Sequence, residues 1–120
     1  MNKNHVIISA VMGALGVAFG AFGAHGLKSI LTPEMLEIYR TGILYHLIHS
    51  AVLLALSLNS KYKLTASFYF ILAGIILFSF SLYAYSITGI LTFAMITPLG
   101  GLSFIIGWLS IIYVILKNNS

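Results

Sequence analysis

Residues 64–86 read LTASFYFILAGIILFSFSLYAYS and contain no charged side chain. A helix that crosses about 30 Å of hydrocarbon needs about 20 predominantly apolar residues. This stretch has that length, and its polar members are hydroxyl residues, which usually bond to neighbouring helices when they lie in lipid. The stretch therefore predicts a membrane-spanning helix.

Three further apolar stretches flank it, at 6–24, 43–58 and 93–116. The connections between them are short, so the sequence predicts one all-α domain over 1–120, a four-transmembrane-helix bundle that runs up, down, up, down. A β-barrel does not fit, because its strands alternate over about 10 residues and these runs are continuous. A secretory signal is the alternative for the first stretch, but the apolar run is long for one.

The segment 33–42 precedes the second stretch and is amphipathic. Thr32 suits the cap of a helix, and Pro33 is tolerated in a first turn, where backbone N–H groups have no helical partner. We expect this segment to be helical and to lie near the membrane interface.

Composition supports lipid as the main solvent. Of the 120 residues, 60% are hydrophobic and 7% are charged, against about 25% charged in ordinary soluble domains. This excludes a soluble enzyme, a DNA-binding domain and a disordered tail. The net charge of +4 is dispersed, so it indicates membrane orientation and no nucleic-acid partner. With no cysteine, disulfides and thiolate metal sites are excluded.

Basic residues near the ends of spans predict the orientation. Four lie on the side that holds both termini and two on the other side; they are Lys3, Lys61, Lys63 and Lys117 against Lys28 and Arg40. The excess predicts that both termini are cytoplasmic.

Small residues are concentrated in the first stretch and at the start of the fourth. Gly16 and Gly20 form a GxxxG pair, which lets a neighbouring backbone approach closely in lipid. One interpretation is a central helix that packs within its own bundle, and the other is a homo-oligomer contact. The Thr97-Pro98 pair is expected to open the fourth helix, where proline costs little. The candidate packing residues are Gly13, Gly16, Gly20, Gly23, Gly100 and Gly101.

Polar side chains within the spans form a second candidate set. His46 and His49 lie three residues apart, so they share a helix face, and polar groups in a membrane are costly unless they face the bundle interior. The hairpin topology brings this set to the half of the bundle opposite the termini, where we expect a shallow polar pocket. The candidate polar cluster is His25, His46, His49, Ser79, Ser81, Tyr83 and Thr97.

Three interpretations of this cluster remain open. The histidines can fix helix register through hydrogen bonds, handle protons or a polar ligand, or bind a metal. Imidazole suits zinc or copper, but no carboxylate lies within the spans. We assign no catalytic residue, cofactor or metal ligand.

The chain contains a series of ordered motifs, which are GAFGAHGL at 20–27, YH at 45–46, HSA at 49–51, LFSFSLY at 77–83, TPLGG at 97–101 and GW at 107–108. Together they resemble a family of small multi-pass membrane proteins, the domain of unknown function 423. The resemblance covers essentially the whole chain and implies a four-helix protein of bacterial inner membranes, with a eukaryotic relative and no established activity or cofactor. The family pattern more often has Gln in place of His46 and Gly in place of Phe80.

The sequence thus favours a non-enzymatic structural or interaction protein of the bacterial cytoplasmic membrane. The alternative is a small transport, proton-handling or polar-ligand-binding protein that uses the polar cluster. A membrane enzyme is least favoured, because the candidate nucleophiles lack a base oriented by a carboxylate. Membrane lipids are the expected partners, with a homo-oligomer or another membrane protein as further candidates.

Overall fold

The computed structural model describes residues 2–118, which are helical and contain no strand. Four helices are long and apolar enough to cross a membrane. The predicted all-α class and the number of spans are therefore confirmed. The helices are Lys3–Leu27, Pro33–Leu58, Thr65–Thr88 and Leu91–Asn118, called the first to the fourth helix below.

The second helix is longer than the predicted span, because 33–42 continues into it without a break. The Thr32 hydroxyl accepts a hydrogen bond from the Met35 backbone N–H at 3.2 Å, and Pro33 occupies the first turn. The predicted cap is therefore present. The interfacial position of 33–42 and the up-down course across a membrane stay predictions.

The second and third helices form the centre of the bundle. Of their most apolar windows, 33% and 44% of residues are buried, against 17% for the first and fourth helices. The expectation that the first helix is central was wrong; it lies at the periphery, and its small residues serve a single neighbour. One apolar core lies between the second, third and fourth helices around Leu53, Ile71 and Phe104.

The start of the first helix contacts the end of the second, so these two helices are antiparallel. At one end, the Asn2 backbone N–H donates to the Ser57 carbonyl oxygen at 3.3 Å. We call this the terminal end; it consists of the start of the first helix and the 59–64 loop. At the opposite end, Tyr39 and Tyr83 pack together in a second core. Gly89, at φ 70°, ends the third helix there in the left-handed region that favours glycine.

The glycines of the first helix divide into two groups. A Cβ at Gly16 would lie 2.7 Å from the Leu47 side chain, and one at Gly23 would overlap the ring of Tyr39. Gly20 meets Ile43 at 3.4 Å, whereas a Cβ at Gly13 would meet nothing within 4 Å. The GxxxG pair therefore packs on the second helix of the same chain. The packing role expected for Gly13 was wrong, because Gly13 lies off that contact face.

The two adjacent glycines of the fourth helix, Gly100 and Gly101, also differ. A Cβ at Gly100 would overlap the backbone of Leu77 and Phe78, whereas one at Gly101 would lie 3.8 Å from the Phe78 ring. Gly100 thus sets the approach of the third and fourth helices. Gly101 contacts its neighbour only loosely.

Pro98 lies inside the fourth helix, which begins at Leu91. The expectation that Thr97 and Pro98 open this helix was wrong, because Gly89 ends the preceding helix and the next one starts two residues later. A proline inside a membrane helix removes one backbone hydrogen bond and is tolerated where neighbouring groups compensate.

Candidate functional site

His46 is fully buried and joins three helices. Its Nε2 lies 2.8 Å from the Met12 carbonyl oxygen of the first helix, and its Nδ1 lies 2.7 Å from the Tyr83 hydroxyl of the third. A carbonyl oxygen only accepts, so Nε2 carries the proton and donates to it. Nδ1 then accepts from the Tyr83 O–H. Both ring nitrogens are therefore used in contacts between helices.

His49 faces a different neighbour. Its Nδ1 donates to the Tyr45 carbonyl oxygen at 2.8 Å, and its Nε2 accepts from the indole N–H of Trp108 at 3.1 Å. Indole nitrogen only donates, so Nε2 is bare and Nδ1 carries the proton. The ring also stacks on Phe104, with centroids 3.8 Å apart. His49 therefore joins the second helix to the fourth.

The two histidines thus hold opposite tautomers, although they lie three residues apart on one helix. Each tautomer is set by a group that can play only one role, the carbonyls of Met12 and Tyr45 and the Trp108 indole. Direct hydrogen bonds occupy all four ring nitrogens. His46 and His49 therefore bond to different helices, although the sequence placed them in one cluster.

Tyr39 repeats the pattern one heptad before His46. Its hydroxyl donates to the Phe19 carbonyl oxygen of the first helix, as His46 does to that of Met12. Gly16 and Gly23 lie against these two side chains. The glycines therefore let two polar side chains of the second helix reach backbone carbonyls of the first.

Hydroxyl groups join the third helix to the fourth at three levels. The Ser81 and Thr97 hydroxyls lie 2.6 Å apart, as do those of Ser67 and Ser110. Between these pairs, the Ser103 hydroxyl donates to the Phe70 carbonyl oxygen at 2.7 Å. Such contacts are typical of helix association in lipid.

Ser79 differs from the other candidate hydroxyls. It is fully buried, and its Oγ has no hydrogen-bond partner within residues 2–118. It lies in a π-helical segment, Ile75–Phe80, which widens the third helix by one residue per turn. The backbone carbonyl of Ser79 lies against Gly42. The structure therefore places Ser79 beside the Gly42–Tyr83 contact without a side-chain bond.

His25 lies outside the cluster, contrary to the expectation from the sequence. Its side chain is exposed, whereas Gly23 and Leu27 on either side of it are buried. Positions two residues away point to roughly opposite sides of a helix, so the burial of these neighbours directs His25 outward. A three-histidine site is therefore not formed, and residues 2–118 contain no group of three His, Asp or Glu side chains that could hold a metal.

The polar cavity lies at the other end of the bundle from the one expected. A cavity of about 270 Å³ at the terminal end is lined by polar groups that include His5, Ser57 and Lys63. Cavities near Tyr39 and Tyr83 are smaller, about 100 and 200 Å³, and the larger of them is lined by aromatic and aliphatic residues. At the opposite end His46 bonds to Tyr83 and Ser81 bonds to Thr97, so these polar side chains contact each other and do not line a shared polar pocket.

Two important polar residues, His5 and Trp108, were missed from the sequence, and Tyr39, which shares the helix face of His46, was left out of the candidate cluster. His5 is buried and bonds to the Tyr69 hydroxyl at 3.0 Å, and Trp108 and Tyr39 supply the contacts described above. His5 and Ser9 share the i, i+4 spacing and both are buried, a signal that the sequence did contain. Trp108 gave no such signal, because it is a single tryptophan inside a long apolar helix, and its position does not show which side of the helix is buried.

Comparison with known proteins identifies the family. The family model described as "Protein of unknown function (DUF423)" matches residues 19–101. The chain belongs to this family. It is 40% identical to the UPF0382 membrane protein YwdK of Bacillus subtilis, over 96% of this chain and 98% of the relative. It is 38% identical to a UPF0382 membrane protein of Haemophilus influenzae, over 100% and 99% of the two chains.

A third relative is named by its membrane. The chain is 35% identical to the UPF0382 inner membrane protein YgdD of Escherichia coli, over 86% of this chain and 82% of the relative. No solved structure matches the chain significantly. Family membership and the four helices establish an integral membrane protein of the DUF423 family, whose function the family description leaves open.

Proposed function

We propose that this DUF423 protein is a non-enzymatic structural or interaction protein of the bacterial cytoplasmic membrane, with both termini in the cytoplasm. The observation that carries the proposal is the environment of His46. This ring is fully buried, and both of its nitrogens are bonded to other helices. A side chain held in this way fixes the helices and has no nitrogen left for a substrate.

The remaining polar contacts support the same role. His49 is bonded through both nitrogens, and the hydroxyls of the third and fourth helices bond across their interface. None of these histidines or serines lines the polar cavity at the terminal end. Proton transfer or transport through the cluster would need ring nitrogens that can exchange with water, whereas direct bonds to protein groups occupy both nitrogens of His46 and of His49.

The outer faces support a role in interaction. The fourth helix presents a row of exposed aliphatic side chains along one side, which lipid or the helix of another membrane protein can cover. The row is Leu99, Leu102, Ile105, Leu109, Ile112 and Leu116. The buried polar contacts hold this face on a fixed bundle.

Two substitutions at His46 test the architectural role. Gln offers one donor and one acceptor, as the Nε2–H tautomer does, but it cannot carry a proton. We expect His46→Gln to keep the fold, and His46→Leu to weaken it. Liposomes that contain either the wild-type protein or His46→Gln, loaded with a pH-sensitive dye, should respond to an acid pulse at the rate of protein-free liposomes. A faster response in wild type that His46→Gln abolishes would instead support proton handling.

The orientation has a separate test. The chain contains no cysteine, so single cysteines can be introduced at exposed positions in each end. In cells whose cytoplasmic membrane is intact and whose outer layers let the reagent through, a membrane-impermeant maleimide should not label a cysteine at position 60. It should label a cysteine at position 90. The reverse pattern would contradict the cytoplasmic termini.

A further inference from the structure

The cavity at the terminal end is built from three segments of the chain. The start of the first helix contributes His5, the end of the second contributes Ser57, and the 59–64 loop with the start of the third helix supplies Lys63 and Thr65. Its volume of about 270 Å³ is well above the ~10–15 Å³ that one water molecule needs. A small polar group can therefore enter it.

The loop that forms one wall is fixed by its own hydrogen bonds. The Asn59 side-chain oxygen accepts from the backbone N–H groups of Lys61 and Tyr62, each at 3.1 Å. The Asn2 backbone N–H binds the Ser57 carbonyl oxygen and attaches the first helix to the same corner. The cavity is therefore a preformed feature of the fold.

The charge at this end is positive. Lys63 lines the cavity, and Lys3 and Lys61 lie within two residues of lining residues. The acidic side chains of the chain are Glu34 and Glu37, in the first turns of the second helix, whereas Ser57 lies at its other end. At about 1.5 Å per residue, Glu34 is ~34 Å from Ser57 along the helix, well beyond a Debye length of about 10 Å.

Hydrogen-bond donors lie at the cavity wall, which includes Thr65 at the start of the third helix. The third helix begins at Thr65 without a side-chain cap, so its first backbone N–H groups lack helical acceptors. His5 is 8% exposed and lines the cavity. Its Nε2 is bonded to Tyr69, and its Nδ1 has no hydrogen-bond partner within residues 2–118. The Nδ1 atom is therefore available to a ligand.

From these observations we propose that the cavity binds a phosphate group. A cation, uncapped helical N–H groups and an unused imidazole nitrogen, with both acidic side chains of the chain at the far end of the second helix, suit a tetrahedral oxyanion. The group belongs either to the headgroup of an anionic phospholipid or to free inorganic phosphate. This site is separate from His46 and does not depend on the architectural role proposed above.

Nuclear magnetic resonance of the protein in dodecyl maltoside micelles, which contain no phosphate, tests the proposal. One arm titrates inorganic phosphate against sodium chloride at matched ionic strength, and the other adds phosphatidylglycerol. We expect saturable shifts of the backbone amides of Thr65 and Ala66 and of the His5 ring. Shifts with inorganic phosphate identify the free ion, and shifts with phosphatidylglycerol alone identify the headgroup.

Matched variants show whether the cavity is the site. Lys63→Ala removes the cation that lines it and should weaken binding about tenfold or more, the value of one charge-assisted hydrogen bond. Lys61→Ala removes a cation from the same loop that does not line the cavity, and should bind as wild type does. His5→Phe keeps the stacking on Phe68 without ring nitrogens and should also bind more weakly. No shift in either arm, or equal loss in Lys61→Ala and Lys63→Ala, would overturn the proposal.

Discussion

Replacing His46 by leucine removes the contact on which three helices converge. The change deletes the bond from Nε2 to the Met12 carbonyl and the bond from Nδ1 to the Tyr83 hydroxyl. Hydrogen bonds between helices in lipid are worth about 0.6 kcal/mol on average, which gives about 1.2 kcal/mol for two. The Met12 carbonyl keeps its place in the first helix, but the Tyr83 hydroxyl is left buried without an acceptor, which costs about 1–3 kcal/mol. We expect His46→Leu to lower the free energy of unfolding by about 2–4 kcal/mol.

Reversible unfolding in mixed dodecyl maltoside and dodecyl sulfate micelles measures this loss, with Trp108, the single tryptophan, as the fluorescent reporter. A double-mutant cycle with Tyr83→Phe should show that the two residues are coupled, because either change removes the same bond. His46→Gln is the control and should retain most of the stability. Wild-type stability in His46→Leu, or equal losses in His46→Gln and His46→Leu, would refute the hydrogen-bond reasoning.

Three further predictions follow from the packing. Gly100→Ala should destabilise the bundle by about 1–3 kcal/mol, because its Cβ meets the backbone of Leu77 and Phe78. Gly101→Ala is the control and should leave the unfolding midpoint unchanged, because there is room for its Cβ. Similar losses in both variants would contradict the close approach at Gly100. Gly89→Ala should cost about 1–2 kcal/mol from its positive φ alone, while Gly13→Ala, in open space, should be tolerated in the same thermal-stability assay. Trp108→Phe should lower stability by about 0.6 kcal/mol through loss of the bond to His49; an unchanged melting temperature would show that this bond contributes nothing.

Long apolar runs were enough to predict the architecture. A stretch without charge such as 64–86 has few alternatives to a membrane helix, and Thr32 with Pro33 marked the start of the second helix correctly. The partners of the polar residues were harder to predict. These helices are apolar on all sides, so periodicity does not reveal which face is buried, as the exposed His25 and the buried His5 show.

The depth of the polar residues along the predicted spans did not predict where the polar cavity lies. The sequence placed polar residues in the half opposite the termini, and His46 and Tyr83 do meet there, although they are 37 residues apart. Polar residues that bond directly to one another fill the space between helices. The cavity lined mainly by polar residues instead lies where the 59–64 loop leaves a gap beside the first helix, and such a gap depends on loop geometry that residue type does not specify.

The central claim is that the buried histidines are fixed by direct bonds between groups of the protein. Nitrogen-15 magnetic resonance of the imidazole rings in lipid bilayers tests it most directly, because the shifts distinguish the two tautomers. The account predicts that His46 carries its proton on Nε2 and His49 on Nδ1, each without exchange with water. A doubly protonated ring, the same tautomer at both positions, or rapid proton exchange with water at either histidine would contradict it.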